Sequence, residues 1–250
     1  MTHFTEFQQH VVECVMQTPA PGKHAARSAL RHLERAFQLA DTMPEVSIFL
    51  GITAEEESAT AVFLAAQRLR YPRSDQIQIH NHVHKTALHP FMLAVGQAVK
   101  GFAEPRKPVF LFDTEHSPDG QELLRVRFSV HDNNGKEWHV MPLPSLNFSL
   151  SLNGEPHDFS AELASIASEH STKDIASYVK TLAKRRIKVL YAATNGIPQA
   201  NDATSFLTYR TSVVVSHLMT YLLIDQHAEH QTFVQQTLDS FLKMLGRLPR

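Results

Sequence analysis

Cysteine occurs once, at Cys14, in a chain of 250 residues. A single thiol excludes an internal disulfide and any cysteine-rich zinc site, and it suits a reducing compartment, so the cytoplasm is the expected location. Long apolar runs are missing too. Nowhere do about 18 apolar residues follow one another, as a spanning helix requires. The opening residues MTHFTEFQQH carry no basic stretch followed by an apolar one, so neither export nor a membrane span is expected. Neither sign of charge dominates, with 24 Lys plus Arg against 25 Asp plus Glu. Without a global field, any contact with nucleic acid or an anionic membrane must use a local patch. Repeats, low-complexity tracts and long linkers are absent as well.

What is present is an apolar fraction of 43%, ample for a core, and 16 histidines, an excess that scattered surface positions explain as readily as metal or acid/base chemistry. Phe4, Phe7, Val11 and Val15 mark a short amphipathic start, which TPAPG ends. Ala26, Leu30, Leu33, Phe37 and Ala40 then recur at steps of three and four, the signature of one helical face. Thr42, Pro44 and Glu45 read as a capping box opening a second helix, with Ile48, Ile52, Ala59, Phe63 and Ala66 inward, up to a stop at Tyr71-Pro72. A further helical stretch runs from Asp75 to Phe102, with a kink or restart expected at Pro90.

From Pro105 the period becomes two. Leu124, Val126, Phe128 and Val130 alternate with Arg125, Arg127 and Ser129, DNNG supplies a hairpin turn, and Leu146 to Leu152 alternate in the same way. With PVFLFD and KEWHVM this predicts about four strands in a half-buried antiparallel meander. Helices resume after Asp158, one with Ile175, Val179, Leu182, Arg186 and Val189 on a face, one opened by Asn201-Asp202, and a last one ending near Gly246. The expected fold is therefore mainly α: N-terminal helices over 1–104, a small antiparallel β insert over 105–155, and C-terminal helices of the same bundle over 156–250.

Three groups of residues are candidates for chemistry. Glu55 and Glu56 lie among apolar neighbours, with Ile52 before them and Ala59 after, so at least one carboxylate points into the core. Such a charge must be paired or neutralised, and a Lys, Arg or His on a facing helix would pair it structurally. Second, HNHVHKTALH places His80 and His84 at the i, i+4 spacing that can hold two metal ligands. A carboxylate-bridged two-metal bundle needs a Glu-x-x-His motif on each of two helices, which the core helices lack, so no metal site is assigned. Third, Arg210 and His217 are seven residues apart and return to within about 20° of one direction on a helix. A cation and an imidazole on an apolar stripe can hold a phosphodiester and move a proton. An arginine paired with the buried glutamate beside a hydrogen-bonded core histidine has the same pattern.

The stretch SALRHLERAFQLADTMPEVSIFLGITAEEESATAVFLAAQRLR, followed by NHVHKTALHPFMLAV, resembles the AbiV-type branch of the HEPN superfamily, with an alanine-rich hairpin, the Glu55-Glu56 pair and then the His84-Lys85 pair. RRIKVLYAATNGIPQ resembles that family's Leu-Tyr turn into the final core helices. The likeness covers about residues 24–100 and 172–225. It implies a HEPN-like helical bundle of abortive-infection type, a phage-defence role, and metal-independent cleavage of RNA without a cofactor across a homodimer interface. Ribonuclease members carry an Arg, four to six residues and a His, and Arg210 with His217 encloses six. The resemblance thus gives Arg210 the phosphate and His217 the proton transfer, with Glu55, Glu56, His84 and Lys85 in support. The chain departs from the pattern at Thr211, where a polar Asn, Asp or His is usual. Arg27 with His32 also fits the spacing but sits in the opening helix. Two other readings stand beside this one: a noncatalytic interaction module whose β insert recruits a protein partner by strand addition, and a His/Glu metal-binding bundle.

Overall fold

Proline and glycine punctuate the N-terminal half as expected. The computed structural model describes residues 4–113, 120, 122–132, 134–148, 157–167, 169–192, 196–198, 200 and 202–248. Helix α1 (Glu6–Gln17) opens on a capping box in which Thr5 and Gln8 satisfy each other's backbone N–H. Helices α2 (Gly22–Leu39) and α3 (Pro44–Arg68) form a hairpin, and Ala26, Leu30, Leu33, Ile48, Ile52, Ala59, Phe63 and Ala66 are all buried between them and their neighbours. The capping box expected at Thr42 does not form. Proline prefers the first helical position, so Pro44 starts α3 one residue later, and the freed Glu45 carboxylate accepts from Ala200 N at 3.0 Å.

Helix α4 (His82–Ala98) begins later than its periodicity suggested. Asn81 caps it by accepting from Val83 N at 2.9 Å, and Pro90 lies inside it without ending it. The single turn α5 (Lys100–Ala103) leads to the β insert, made of β1 (Val109–Asp113), β2 (Leu123–His131) and β3 (Glu137–Val140). Helices α6 (Ser160–Ala164), α7 (Glu169–Leu190), α8 (Ala203–Asp225) and α9 (Thr232–Leu245) complete the chain. Asp202 opens α8 as expected, its side chain accepting from Ser205 N at 3.2 Å.

The sheet is an antiparallel meander of order β1-β2-β3, three strands among the described residues rather than four. Leu146 and Phe148 are not in a strand, because the segment docks on the start of α9 instead. Leu146 N donates to Gln231 Oε1 at 2.7 Å, and Asn147 Oδ1 accepts from Thr232 N at 2.9 Å. The rest of the fourth predicted strand, 149–152, lies outside the described residues. Leu124, Val126 and Phe128 face the bundle core as their alternation requires. Arg125, expected on the solvated face, is instead 1% exposed. It pairs with Asp113 at 2.7 Å and donates to the carbonyls of Met141 and Pro142, so the loop after β3 covers that face.

Helix α3 is the hub, packed on α2, α4, α7 and α8. It runs parallel to α8 along its length, since Gly51 meets Leu207, Glu55 meets Arg210, Ser58 meets His217 and Arg68 meets Asp225. At Gly51 a Cβ would lie 2.8 Å from Leu207 Cδ2, so the missing side chain is what permits this approach. The register brings the polar residues of both helices face to face.

Candidate functional site

Consecutive residues of a helix project about 100° apart, and this alone separates the two glutamates. Glu55 points at α8 and is 0% exposed. Its carboxylate accepts from Arg210 Nη1 and, at 3.1 Å, from the Tyr178 hydroxyl of α7, while that hydroxyl accepts from Arg210 Nη1 at 2.6 Å. Burial pushes the Glu55 carboxyl up, with Arg210 and Tyr178 pulling the other way. Burial also works against the Arg210 cation, but Glu55 and Tyr178 more than offset it and raise its pKa. The guanidinium lies 4.7 Å from the Phe206 ring centroid and 5.0 Å from that of Tyr209, so aromatic faces close the rest of its surroundings.

Glu56, 4% exposed, points away from Arg210 and meets three basic side chains at the edge of the core. Its Oε2 lies 2.7 Å from His82 Nδ1 and 3.7 Å from Lys85 Nζ, and its Oε1 lies 3.2 Å from Arg186 Nη1. His82 is solvent-exposed and Arg186 partly so, which leaves this cluster open on one side. His84 takes no part. Its Nδ1 accepts from Gln78 N at 3.2 Å, and burial lowers its pKa.

His217 is 0% exposed. Its Nδ1 lies 2.9 Å from Ser58 Oγ, and Ser58 donates its own proton to Glu55 O at 2.8 Å. Nδ1 must therefore carry the proton, and the bare Nε2 is buried without a partner. Burial, followed by His89, pushes the His217 pKa down to about 3. His89 approaches with ring centroids 6.1 Å apart, and its Nε2 lies 2.8 Å from Tyr209 OH. Burial and then Arg210 push His89 down to about 4. Both imidazoles are neutral at physiological pH.

The structure thus brings together Glu55, Arg210 and His217, and separately Glu56 with Lys85. The stripe shared by Arg210 and His217 faces α3 and not a groove, because every turn of α8 that carries them is packed on the hub helix. Both side chains are buried, Arg210 at 6% and His217 at 0% exposure, so the described residues leave a phosphodiester no open approach to them. Pattern reading missed Tyr178, Ser58, His82, His89, Tyr209 and Arg186 as members of the network. His82 and His89 stood within the histidine-rich stretch and Arg186 on a recognised helix face, whereas nothing local marks Tyr178 or Ser58.

The His80/His84 metal pair does not form, because His80 precedes the Asn81 cap and lies off the helix that carries His84. Among the described residues, one group brings three possible ligands within 4.8 Å of one another, His10, Cys14 and Glu122. His10 Nε2 and Glu122 Oε2 already meet there at 2.6 Å. Cys14 is held as a thiol, its pKa raised to about 11 by burial and then by Glu122 and Glu13. No described helix is long and apolar enough to cross a membrane. Comparison with family models, with curated proteins and with solved structures finds no match for this chain.

Proposed function

We propose that this protein is a HEPN-like bundle of abortive-infection type that acts by binding a protein partner through its β insert, without cutting RNA. The supporting observation is the outer strand. β3 pairs with β2 on one side, Phe128 with Val140 and Val130 with Trp138, and no described strand pairs with its other side. An edge strand presents alternate N–H and C=O groups outward, a ready template for an extended segment of another chain. Trp138 and Val140 continue the apolar face of β2 beyond the bundle and are 50% and 47% exposed. Met141 and Leu143 extend this exposed apolar surface. Large apolar side chains gathered beside an open sheet edge mark a site of association.

Against RNA cleavage stands the burial of both proposed catalytic groups, with Arg210 engaged by Glu55 and Tyr178. A photoreactive residue at position 139 tests the binding reading, with one at position 187 on α7 as the control. The expected result is crosslinks from 139 to one contiguous segment of a single protein species, lost when Trp138 and Val140 are both changed to Lys. Crosslinks to position 139 of a second copy would make the partner this chain itself. Equal crosslinking from both positions, or crosslinking that survives the double change, would overturn the proposal.

A further inference from the structure

His10 and Cys14 stand four residues apart on α1, so their side chains lie one above the other on one face. Glu122, the residue before β2, brings a carboxylate to the same place from the β insert. One nitrogen, one sulfur and one oxygen from the three all lie within 4.8 Å of one another. Around a zinc ion with bonds of about 2.0–2.3 Å such atoms stand roughly 3.3–3.8 Å apart, so side-chain shifts of about 1 Å or less enclose an ion. His10 Nε2 and Glu122 Oε2, at 2.6 Å, part slightly, and the Cys14 sulfur closes in.

The surroundings suit a cation. Glu122 has no lysine or arginine partner among the described residues, and Glu13 adds a second carboxylate, its Oε2 3.4 Å from His10 Nδ1. A metal-bound imidazole ordinarily gives its other ring N–H to a carboxylate, which fixes the tautomer and raises the basicity of the ligating nitrogen. With Nδ1 turned to Glu13, Nε2 is the nitrogen left for the ion. Phe112 of β1 holds the ring in that attitude, with 4.2 Å between centroids and 81° between planes. Cys14 is buried while His10 and Glu122 are partly exposed, so an ion enters from solvent and keeps water on its open side. A protonated His10 alone would bridge the two carboxylates, but it would leave the sulfur without a role. One divalent ion engages all three groups, and a thiolate and a carboxylate cancel its charge.

We propose that this protein binds one zinc ion through His10 Nε2, Cys14 Sγ and Glu122 Oε2, with water in the fourth position. As the Zn–S bond forms, the thiol S–H bond breaks and its proton passes to solvent, while His10 binds as the neutral imidazole with its Nδ1–H donating to Glu13. The ion ties α1 to the β insert through residues that belong neither to the Glu55 network nor to β3.

Titration of the purified, reduced protein with cobalt(II), a spectroscopic substitute for zinc, tests this. Cys14 is the single cysteine of the chain, so a thiolate-to-cobalt charge-transfer band in the near ultraviolet can arise only there. The band is expected to appear with the strong visible bands of a four-coordinate ion, to saturate at one cobalt per chain, and to vanish when zinc is added. His10→Ala and Glu122→Ala change partly exposed side chains, so circular dichroism should remain that of wild type. Cobalt affinity should fall at least about tenfold in each, since even the outer partners of a ligand are commonly worth that much. Absence of the charge-transfer band at a large excess of cobalt would leave His10 as a bridge between two carboxylates and overturn the proposal. So would a band that zinc does not displace, or an affinity unchanged in either variant.

Discussion

Glu55 of α3 and Arg210 of α8 form an ion pair in which the carboxylate is 0% exposed and the arginine 6%. The two helices run parallel, and this pair sits between the apolar contact at Gly51 and the Ser58–His217 hydrogen bond. Taking both charges out of water is costly, so such a pair adds little net stability over an apolar substitute. Removing one partner is another matter, because the other is then stranded.

Glu55→Ala and Arg210→Ala should each cost roughly 3–5 kcal/mol. The double change should cost clearly less than the two summed, since it strands neither charge. Glu55→Gln should fall below Glu55→Ala. Glu56→Ala should cost less than Glu55→Ala but more than the loss of a surface pair, because His82 and Arg186 can turn to solvent while the buried Lys85 loses its carboxylate. Urea unfolding of the set measures all of this, and equal losses at 55 and 56 would contradict the difference between a carboxylate whose cation is enclosed and one with partners that reach solvent.

The buried histidines set a pH dependence. His217 and His89 have pKa values of about 3 and about 4 in the folded protein against 6.5 for the free side chain, chiefly through burial. Both are neutral when folded, so below pH 6.5 the unfolded chain takes up protons that the folded one refuses. Their contribution is complete above that pH and is lost as the pH falls toward 4, with a slope approaching about 1.4 kcal/mol per pH unit for each. Melting temperature should therefore drop between pH 7 and 4.5, and His217→Gln should flatten the drop. A wild-type profile level across this range would mean that the core accepts these protons without opening.

Single-stranded RNA incubated with the protein in EDTA should remain intact. Nε2 of His217 is enclosed, and the Arg210 guanidinium is committed to Glu55 and Tyr178. Gel analysis of fragment ends gives the answer. Cleavage that leaves cyclic phosphates and disappears in His217→Ala would show that the bundle opens to admit substrate, and would restore the ribonuclease reading.

Cys14 should be unreactive in the native state. It is buried, and a pKa of about 11 keeps it protonated at neutral pH. Alkylation by iodoacetamide should run on the order of 100-fold slower than for an ordinary exposed thiol, because the thiolate is the nucleophile. The native rate should rise to that of a free cysteine in urea. Labelling at the same rate with and without denaturant would place the side chain at the surface.

Periodicity alone carried the element types. The three-four spacing of Ala26, Leu30 and Leu33 and the alternation of Leu124, Val126 and Phe128 correspond to faces that are buried in the fold. A repeat of 3.6 or 2 is a property of backbone geometry, so a few neighbouring residues suffice to express it. The same rule failed at Leu146 to Phe148, where Gln231 and Thr232 of the α9 start claim backbone and side-chain groups that a strand would have used. It failed again at Arg125, whose burial depends on Asp113 and on a loop sixteen and seventeen residues further along the chain.

The candidate site divides in the same way. That a carboxylate near position 55 enters the core, and that Arg210 and His217 share one stripe of α8, follows from side-chain direction on a single helix. Which groups they meet does not. Glu55 and Arg210 are 155 residues apart in sequence, and Ser58 and His217 are 159 apart. Their pairing is set by the parallel register of α3 and α8, whose close approach is permitted by Gly51. One residue's rotation about the axis of α3 sends Glu55 to a buried arginine and Glu56 to a cluster in which His82 and Arg186 reach solvent. Whether the stripe of α8 faces a groove or a neighbouring helix is likewise a matter of packing, because an apolar face is satisfied by any apolar cover and its own sequence does not name which.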